Sequence, residues 1–267
     1  MEDQEVLSYR EETNLHFNSK AYLQRFTDPH DLWYHAAILK CWHTFYQEHG
    51  KEFDPTKTSM LEFGGGPTVW DLISVTPFVS SITFTDFADT SRTEIQLWKS
   101  KNPDGHNWKP YIEYVVRTLE DNNDPNAVNL REQEIRDKIH QLAPCDARAD
   151  KPLGDNIQEE FDIIHTNLCL EAVCDDKETF YRYLKNVCQY LKPKGCMLIV
   201  TACECHSYQC WKGEDNLHAL YLESEDLDMA CKTAGLTVLK KHIVQDASAV
   251  NATSNSKYYQ FTVAQKN

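Results

Sequence analysis

Glycine and positive charge are both scarce in this chain. It contains 9 glycines among 267 residues, whereas average usage of about 7% gives about 19. Acidic residues number 41 against 27 lysines and arginines, so the formal net charge is -14. Such a chain has no broad positive surface to offer a phosphate backbone, and we expect no nucleic-acid partner.

Long apolar runs are also missing. No stretch is long enough to span a bilayer, and the opening residues, MEDQEVLSYREE, are acidic and lack the apolar core of a secretion signal. Ten cysteines are spread over a chain far longer than a small disulfide framework, so we interpret them as reduced thiols. We therefore expect a cytoplasmic, monomeric protein with no membrane partner.

The order of periodic segments predicts an α/β fold. Residues 1–55 are helical in pattern, with an apolar stripe between Asp31 and Glu48. Strands are predicted at Met60–Phe63, Ser81–Phe87, Phe161–Cys169, Cys196–Ala202, Leu236–Val244 and Lys257–Ala264. Helices are predicted between these strands. One begins at Val69, one ends near Lys101, and two more cover Lys177–Leu191 and Ser224–Ala234. This alternation favours a mostly parallel sheet that helices cover on both faces.

Two segments deviate from that alternation. Residues 102–145 contain a polar turn at Asp121–Pro125 and a charged helix over Arg131–Leu142, which we interpret as an insertion. Residues 192–195, Lys-Pro-Lys-Gly, are predicted to form a turn before the next strand.

Three of the nine glycines are consecutive, Gly64, Gly65 and Gly66. They follow the first strand and precede a helix, which is where a parallel sheet binds nucleotide-like ligands. Asp86 ends the second strand, at the distance along the chain where an acid reaches ribose hydroxyls. Two simpler readings stay open: a tight strand-to-helix turn for the glycines and a helix N-cap for Asp86.

The same segment excludes two nucleotide motifs. A dinucleotide fingerprint has a third glycine where this chain has Val69, and no Gly-Lys-Ser/Thr follows as in a P-loop. A ribose-bearing cofactor without a pyrophosphate is what these residues favour.

Four segments resemble one family. The run LEFGGGP (61–67) resembles the first motif of S-adenosylmethionine-dependent methyltransferases. The runs HFNSKAYL (16–23), LCLEAV (168–173) and LKPKG (191–195) are similar to the nicotinamide, phenylethanolamine and indolethylamine N-methyltransferases. The resemblance implies a Rossmann-like class I methyltransferase fold, with a mixed seven-strand sheet and helices on both faces. It also implies a helical N-terminal cap (1–55) that closes over the cofactor and a methyltransferase domain (56–267).

The resemblance further implies which residues hold S-adenosylmethionine and release S-adenosylhomocysteine. These positions are Tyr22, Thr27, Gly64, Gly65, Gly66, Thr68, Trp70, Asp86, Phe87, Ser91, Asp146, Ala147 and Asn167. Asp86 is expected at the ribose, Asp146 at the adenine amino group, and Tyr22 and Asn167 at the methionine end. Thr27 departs from the pattern, because relatives carry a second tyrosine there.

Glu171, just beyond a central strand, is the expected catalytic carboxylate. An aliphatic amine is protonated at neutral pH and needs a group that accepts its proton, whereas a pyridine nitrogen needs none. The other reading of Glu171 is a solvated acid on a loop. Thr201, Glu204 and Tyr208 are the expected substrate-binding residues.

The substrate positions match neither kind of relative completely. Thr201 stands where nicotinamide-type relatives have an Asp. Cys205 and Asn255 stand where phenylethanolamine-type relatives have a Glu and an Asp. Nicotinamide or a related pyridine and an arylalkylamine therefore both stay open as substrates, as does a protein that has kept the cofactor pocket and lost the activity.

Two further groups receive structural interpretations. Cys203, Cys205, His206 and Cys210 have a spacing that fits no standard structural zinc pattern, so we predict no metal ion there. His165, inside the strand FDIIHTN, is interpreted as a buried core histidine in preference to a catalytic base. A dinucleotide-dependent oxidoreductase is the remaining alternative.

Overall fold

A computed structural model describes residues 17–155, 157–209, 217–245 and 255–267. The strands are β1 (Ser59–Phe63), β2 (Ser81–Asp86), β3 (Ile139–Pro144), β4 (Phe161–Asn167), β5 (Leu191–Cys203), β6 (Ser207–Tyr208), β7 (Leu217–His218), β8 (Leu236–Val244) and β9 (Tyr258–Lys266). The helices are α1 (Ser19–Leu23), α2 (Trp33–His49), α3 (Leu72–Val75), α4 (Asp89–Lys99), α5 (Lys109–Glu113), α6 (Ala127–Lys138), α7 (Lys177–Cys188) and α8 (Ser224–Thr233). A π-helical segment (Tyr114–Leu119) follows α5, and short 3-10 turns lie at Gly50–Glu52, Thr76–Phe78 and Leu170–Ala172.

Seven strands form one mixed sheet in the order β3-β2-β1-β4-β5-β9-β8. The first five are parallel, and β9 pairs antiparallel with both β5 and β8. Strand order reverses between β1 and β4, so the connections leaving these two strands diverge. Open sheets of this kind bind ligands in that crevice, beyond the carboxyl ends of the strands. The predicted mixed seven-strand α/β sheet is confirmed.

Two apolar cores cover the two faces of the sheet. Neighbouring residues of a strand point to opposite faces, and Met60 accordingly joins one core while Leu61 joins the other. The first core includes Trp42 of α2, and the second includes Leu184 of α7 and Leu227 of α8. Because α2 shares a core with the sheet, the N-terminal helices are packed against the body of the fold. The division at residue 55 into a cap and a second domain stays a prediction.

Helix α7 shows how the sequence dictates these elements. Phe180, Leu184 and Val187 recur at helical spacing and are buried, while Asp176 accepts a hydrogen bond from the backbone N–H of Thr179 at 2.7 Å and caps the first turn. The helix ends at Cys188, earlier than the predicted Leu191, because Leu191 already pairs with Phe161 in the sheet.

The interpretation of residues 102–145 as an insertion is wrong. The predicted helix over Arg131–Leu142 ends at Lys138, and Ile139–Pro144 forms β3, the edge strand beside β2. An edge strand has one neighbour and needs no continuous apolar run, so its polar residues concealed it. The segment therefore completes the sheet.

The predicted turn at 192–195 lies within β5. The register between β4 and β5 shifts between Phe161 and Ile163, so the four residues form an irregularity in the strand, with Lys194 at φ 65°. Among the residues that the structure describes, no helix combines the length and apolarity needed to cross a bilayer.

Candidate active site

The glycine turn after β1 is packed tightly on one side and open on the other. Gly64 has φ +70°, and a Cβ added there would lie 2.2 Å from the Cys169 sulfur. A Cβ on Gly65 would lie 2.6 Å from the Phe84 ring. Gly66, at φ +60°, would meet nothing within 4 Å. The first two glycines are thus required by packing, whereas the third faces open space at the carboxyl end of the sheet.

Asp86 lies across from this turn at the end of β2. One carboxylate oxygen, Oδ2, accepts the N–H of Gly66 at 2.8 Å, and Oδ1 accepts the N–H of Ala88 at 2.9 Å. Burial raises the pKa of Asp86, and the two backbone donors oppose that rise. The N-cap of α4 is Ala88, so the reading of Asp86 as the helix N-cap is wrong.

The turn and its neighbours fit a ribose-bearing cofactor with an amino group. Gly66 borders open space, and Asp86 brings a carboxylate to its edge. At the end of β4, Oδ1 of Asn167 is buried without a hydrogen-bond partner among the described residues. Buried polar atoms are nearly always satisfied, so an acceptor left in this position suits a donor on a bound molecule.

Three of the expected cofactor residues, Phe87, Asp146 and Ala147, lie just beyond the ends of β2 and β3. Asp146 forms a two-point ion pair with Arg148, at 2.8 Å to Nε and 3.1 Å to the second guanidinium nitrogen. The guanidinium lies 4.9 Å from the centroid of the Phe87 ring. Ala147, which lies between Asp146 and Arg148 in the sequence, is buried. The sequence analysis missed Arg148, although its position two residues after an acid was a signal for such a pair.

The remaining residues near the turn have structural contacts. Thr68 donates its hydroxyl to the carbonyl of Gly65 at 2.8 Å and closes the turn. Ser91 is fully buried in α4. Trp70 is 3% exposed and packs 4.8 Å from the ring of His35, in an aromatic cluster that α2 shares.

The N-terminal segment contains two of the expected cofactor residues, Tyr22 and Thr27, and Tyr22 lies among other aromatic rings. The Tyr22 ring lies 5.5 Å from Phe17 and 5.3 Å from Phe26. Thr27 is exposed, and its hydroxyl donates to Asp31 in a local turn. His16, which begins the HFN motif, lies outside the described residues.

Arg25 ties this segment to the chain after β5, and no pattern in the sequence indicates this contact. Its guanidinium donates to the carbonyl of Gln209 at 2.9 Å and to the hydroxyl of Tyr34 at 3.0 Å. The contact with Gln209 spans most of the chain, beyond what any local pattern can reveal. Arg25 thereby joins the N-terminal helices to the segment that follows β5.

Glu171 lies in the 3-10 turn after β4 and is 4% exposed. Its Oε1 accepts the backbone N–H of Ala202 at 2.9 Å, and its own carbonyl accepts the N–H of Leu220 at 2.9 Å. Burial raises the pKa of Glu171 to about 7. The reading as a solvated acid on a loop is therefore wrong. A carboxylate with this pKa is divided between its two protonation states at neutral pH.

The three expected substrate residues have different surroundings. Thr201 is 1% exposed near the end of β5, and its hydroxyl has no hydrogen-bond partner among the described residues. Glu204 pairs with Lys257, and this bond lowers the pKa of Glu204. Tyr208 lies in the short strand β6 and pairs with Leu217.

Cys205 and Asn255 organise the chain after β5. Oδ1 of Asn255 accepts the backbone N–H groups of His206 at 2.9 Å and Ser207 at 3.1 Å, and lies 3.3 Å from the Cys205 sulfur. Of the considered zinc ligands, Cys210 lies outside the described residues. In the part of the chain that the structure describes, Cys203, Cys205 and His206 form no cluster of converging metal ligands.

Comparison with known sequences decides the family. The sequence model of the NNMT/PNMT/TEMT family matches residues 5–267. The chain belongs to this family. The expected resemblance is confirmed, and with it S-adenosylmethionine as the cofactor of the N-methyltransferase family to which the chain belongs.

Individual family members are distant in sequence. Human nicotinamide N-methyltransferase is 29% identical over 243 residues, which cover 90% of this chain and 89% of the human protein. Rabbit (Oryctolagus cuniculus) indolethylamine N-methyltransferase is 25% identical, over 85% of this chain and 83% of the rabbit protein. Mouse phenylethanolamine N-methyltransferase is 27% identical, over 78% of this chain and 70% of its own.

Solved structures agree with the fold. The N-methyltransferase NodS from Bradyrhizobium japonicum, in complex with S-adenosylhomocysteine, aligns with a TM-score of 0.51 over 95% of this chain and 98% of its own, at 12% identity. The CurJ carbon methyltransferase aligns with a TM-score of 0.55 over 95% of this chain and 60% of its own, at 15% identity. At these identities the likeness shows the fold alone, and it confirms the predicted Rossmann-like methyltransferase class.

Replacement of Gly66 by alanine tests the open side of the turn. A new Cβ there meets no protein atom, so Gly66→Ala costs only the backbone strain of a positive φ, about 1 kcal/mol. We expect Gly66→Ala to lose at least tenfold in affinity for S-adenosylhomocysteine, measured by calorimetry, because the methyl group enters the space beside Asp86.

The matched control is Gly235→Ala. Gly235 also has a positive φ, +77°, and open surroundings, but it ends α8. Both variants should melt at similarly lowered temperatures, and only Gly66→Ala should bind the cofactor product weakly. Equal affinities in the two variants would place the cofactor elsewhere.

Proposed function

We propose that this chain transfers a methyl group from S-adenosylmethionine to the nitrogen of a small amine, with an arylalkylamine as the preferred class. The observation that carries the proposal is the buried carboxylate of Glu171, whose pKa is raised to about 7 at the carboxyl end of the sheet. A general base works best when its pKa lies near the working pH. An alkylamine needs such a base, because it arrives as an ammonium ion.

The residues around the glycine turn support cofactor binding. When bound, S-adenosylmethionine supplies an electrophilic methyl group on a sulfonium centre. In this proposal Asp86 holds the ribose hydroxyls and Asp146 the adenine amino group. Asn167 and Tyr22 hold the methionine end.

Glu171 has one oxygen free for chemistry in this proposal. Its Oε1 already accepts the N–H of Ala202, so Oε2 is the atom that binds the ammonium and takes its proton. Methyl transfer is an in-line displacement, and the protein contributes chiefly by aligning the nitrogen and excluding water. The aromatic side chains of the N-terminal segment supply the apolar cover.

A second substrate class has a specific observation in its favour. The relative at 29% identity over nine-tenths of this chain is a nicotinamide N-methyltransferase. A pyridine nitrogen would be methylated without a base, and Thr201 would then face the substrate where such relatives have an Asp. Nicotinamide or a related pyridine is therefore the alternative substrate.

The test is incubation of the full chain with labelled S-adenosylmethionine and a panel of arylalkylamines and pyridines. We expect methylated product from at least one arylalkylamine at a rate well above that of nicotinamide. Faster turnover of nicotinamide would replace the first substrate class by the second. Tight binding of S-adenosylhomocysteine without product from any compound would support a binding protein that has lost the activity.

A further inference from the structure

Beneath the glycine turn lies a cluster of polar side chains that the proposed methyl transfer does not use. Glu62 of β1, Asp71 before α3 and His165 of β4 are 0%, 1% and 0% exposed. Glu62 and His165 are register partners in the parallel pair β1–β4 and face the same core. One ligand atom from each residue lies within 4.8 Å of the other two.

Both carboxylate oxygens of Glu62 and Nδ1 of His165 are buried, and no backbone N–H, lysine or arginine among the described residues donates to them. The Asp71 carboxylate accepts from backbone N–H groups at the start of α3. Native interiors leave few such atoms, and several at one place point to a missing ion or water. The distance from Nδ1 of His165 to Oε2 of Glu62, 3.7 Å, is too long for a direct hydrogen bond.

One of the two tautomers of His165 suits a cation. Nε2 of His165 lies 2.5 Å from the Tyr46 hydroxyl. When Nε2 carries the proton and donates it to Tyr46, Nδ1 presents a lone pair to the two carboxylates. Metal-binding histidines are held by such a second hydrogen bond. Three acceptor groups then converge, and one water has only two protons for them.

The charge balance of the cluster also favours a bound cation. Among the described residues, neither Glu62 nor Asp71 pairs with a lysine or arginine, and the nearest ring, that of His165, is 3.7 Å from Glu62. A divalent cation neutralises both carboxylates. Such buried charges are paired or coordinate metals in proteins.

We propose that Glu62, Asp71 and His165 bind one divalent first-row metal ion, Zn²⁺ or Mn²⁺. Two carboxylates and one imidazole suit these ions, and a nitrogen ligand disfavours Ca²⁺. A point between the three ligand atoms lies within about 2.8 Å of each, about 0.6 Å beyond a bond to zinc, so the side chains close by that amount on binding.

The ion has a structural role in this proposal. It joins β1, β4 and the start of α3, the three elements around the glycine turn. Glu62 supports the turn directly, because its Cγ lies 2.9 Å from where a Cβ on Gly65 would be. The site is fully buried, and none of its three residues takes part in the proposed methyl transfer. The proposal therefore stands independently of the proposed function.

The experiment measures metal in the full-length protein, purified without chelators or metal-affinity resins from medium containing Zn²⁺ and Mn²⁺. We expect about one equivalent of one of the two ions per chain by elemental analysis. Removal of the ion by a chelator should lower the melting temperature by several degrees, and adding back the same ion should restore it.

Two variants locate the ion. Glu62→Gln keeps the size of the side chain and should retain less than a tenth of an equivalent. Glu132→Gln is the control, since Glu132 is also a buried carboxylate but is paired with Arg136 at 2.9 Å, and it should keep the full equivalent. If Glu62→Gln does not fold, the wild-type measurements decide alone. Less than a tenth of an equivalent in the wild type, with no change in melting temperature on adding either ion, would overturn the proposal.

Discussion

Asp86→Ala is expected to weaken S-adenosylhomocysteine binding about 100-fold. In the proposed site the carboxylate accepts hydrogen bonds from two ribose hydroxyls, and hydrogen bonds to a charged group contribute about 1.5–3 kcal/mol each. A total loss of about 3 kcal/mol corresponds to that factor. The variant also leaves the N–H of Gly66 without its acceptor, so the turn loses support at the same time. Calorimetric titration measures the affinity.

Asp89→Ala is the control for this experiment. Asp89 lies three residues away, its side chain is 87% exposed, and it pairs with Arg92. We expect unchanged affinity, because a surface ion pair contributes little. Asp86→Asn keeps one carbonyl acceptor and should lose less affinity than Asp86→Ala. If Asp86→Ala folds and binds as tightly as Asp89→Ala, Asp86 does not hold the ribose.

Glu171→Gln is expected to lower kcat/KM for an arylalkylamine about 100-fold, which is the lower range for loss of a general base. Turnover of a pyridine should change less than threefold, because its nitrogen carries no proton to remove. Steady-state rates with both substrate classes measure the difference. Glu178→Gln, at an exposed position in α7, is the control and should leave both rates unchanged. An equal loss on both substrates would make Glu171 a positioning residue.

The pH dependence gives a separate test of the same residue. Glu171 accepts a proton only in its ionised form, and its pKa is about 7. The ratio of wild-type to Glu171→Gln rates on the amine should therefore increase from pH 5.5 to pH 8 and level off above. A ratio that is constant with pH would show that no proton is transferred to Glu171.

The raised pKa of Glu171 also has a cost in stability. The carboxyl is neutral in the folded chain up to pH about 7 but ionises near pH 4.5 when unfolded. Folding stability therefore decreases as the pH rises through this window, by about 3 kcal/mol in total. Glu171→Gln removes the penalty. We expect the variant to melt several degrees above the wild type at pH 8 and close to it at pH 4.5, as measured by calorimetry. A variant that melts below the wild type at pH 8 would contradict the assigned burial cost.

Local sequence was enough to predict the glycine turn after β1 and the strand that ends at Asp86. The glycine turn, Thr68 and Asp86 lie within 23 residues, and short strands with alternating or continuous apolar residues fix their positions in the sheet. Edge strand β3 escaped the same analysis because its outer residues are polar. A strand with one neighbour leaves a weaker mark on the sequence than one buried on both sides.

The surroundings of Glu171 and Glu204 could be predicted only in part. The burial of Glu171 depends on Ala202 and Leu220, which approach it from later parts of the chain. The pairing of Glu204 with Lys257 is equally non-local. The ligands Glu62, Asp71 and His165 come from separate elements, so they form no spacing motif. Side-chain partners of this kind are set by the three-dimensional packing, which no short window of sequence contains.

The position of β9 has a consequence for how the chain is made. Residues 258–266 are synthesised after both of their neighbours in the sheet, β5 and β8. Until they leave the ribosome, each neighbour keeps an open edge, and such edges are templates for pairing with other chains. The edges of β5 and β8 that face β9 are therefore closed to other chains only after β9 has been synthesised and has paired with both. Loss of this one strand would separate β8 from the sheet as well as remove β9 itself.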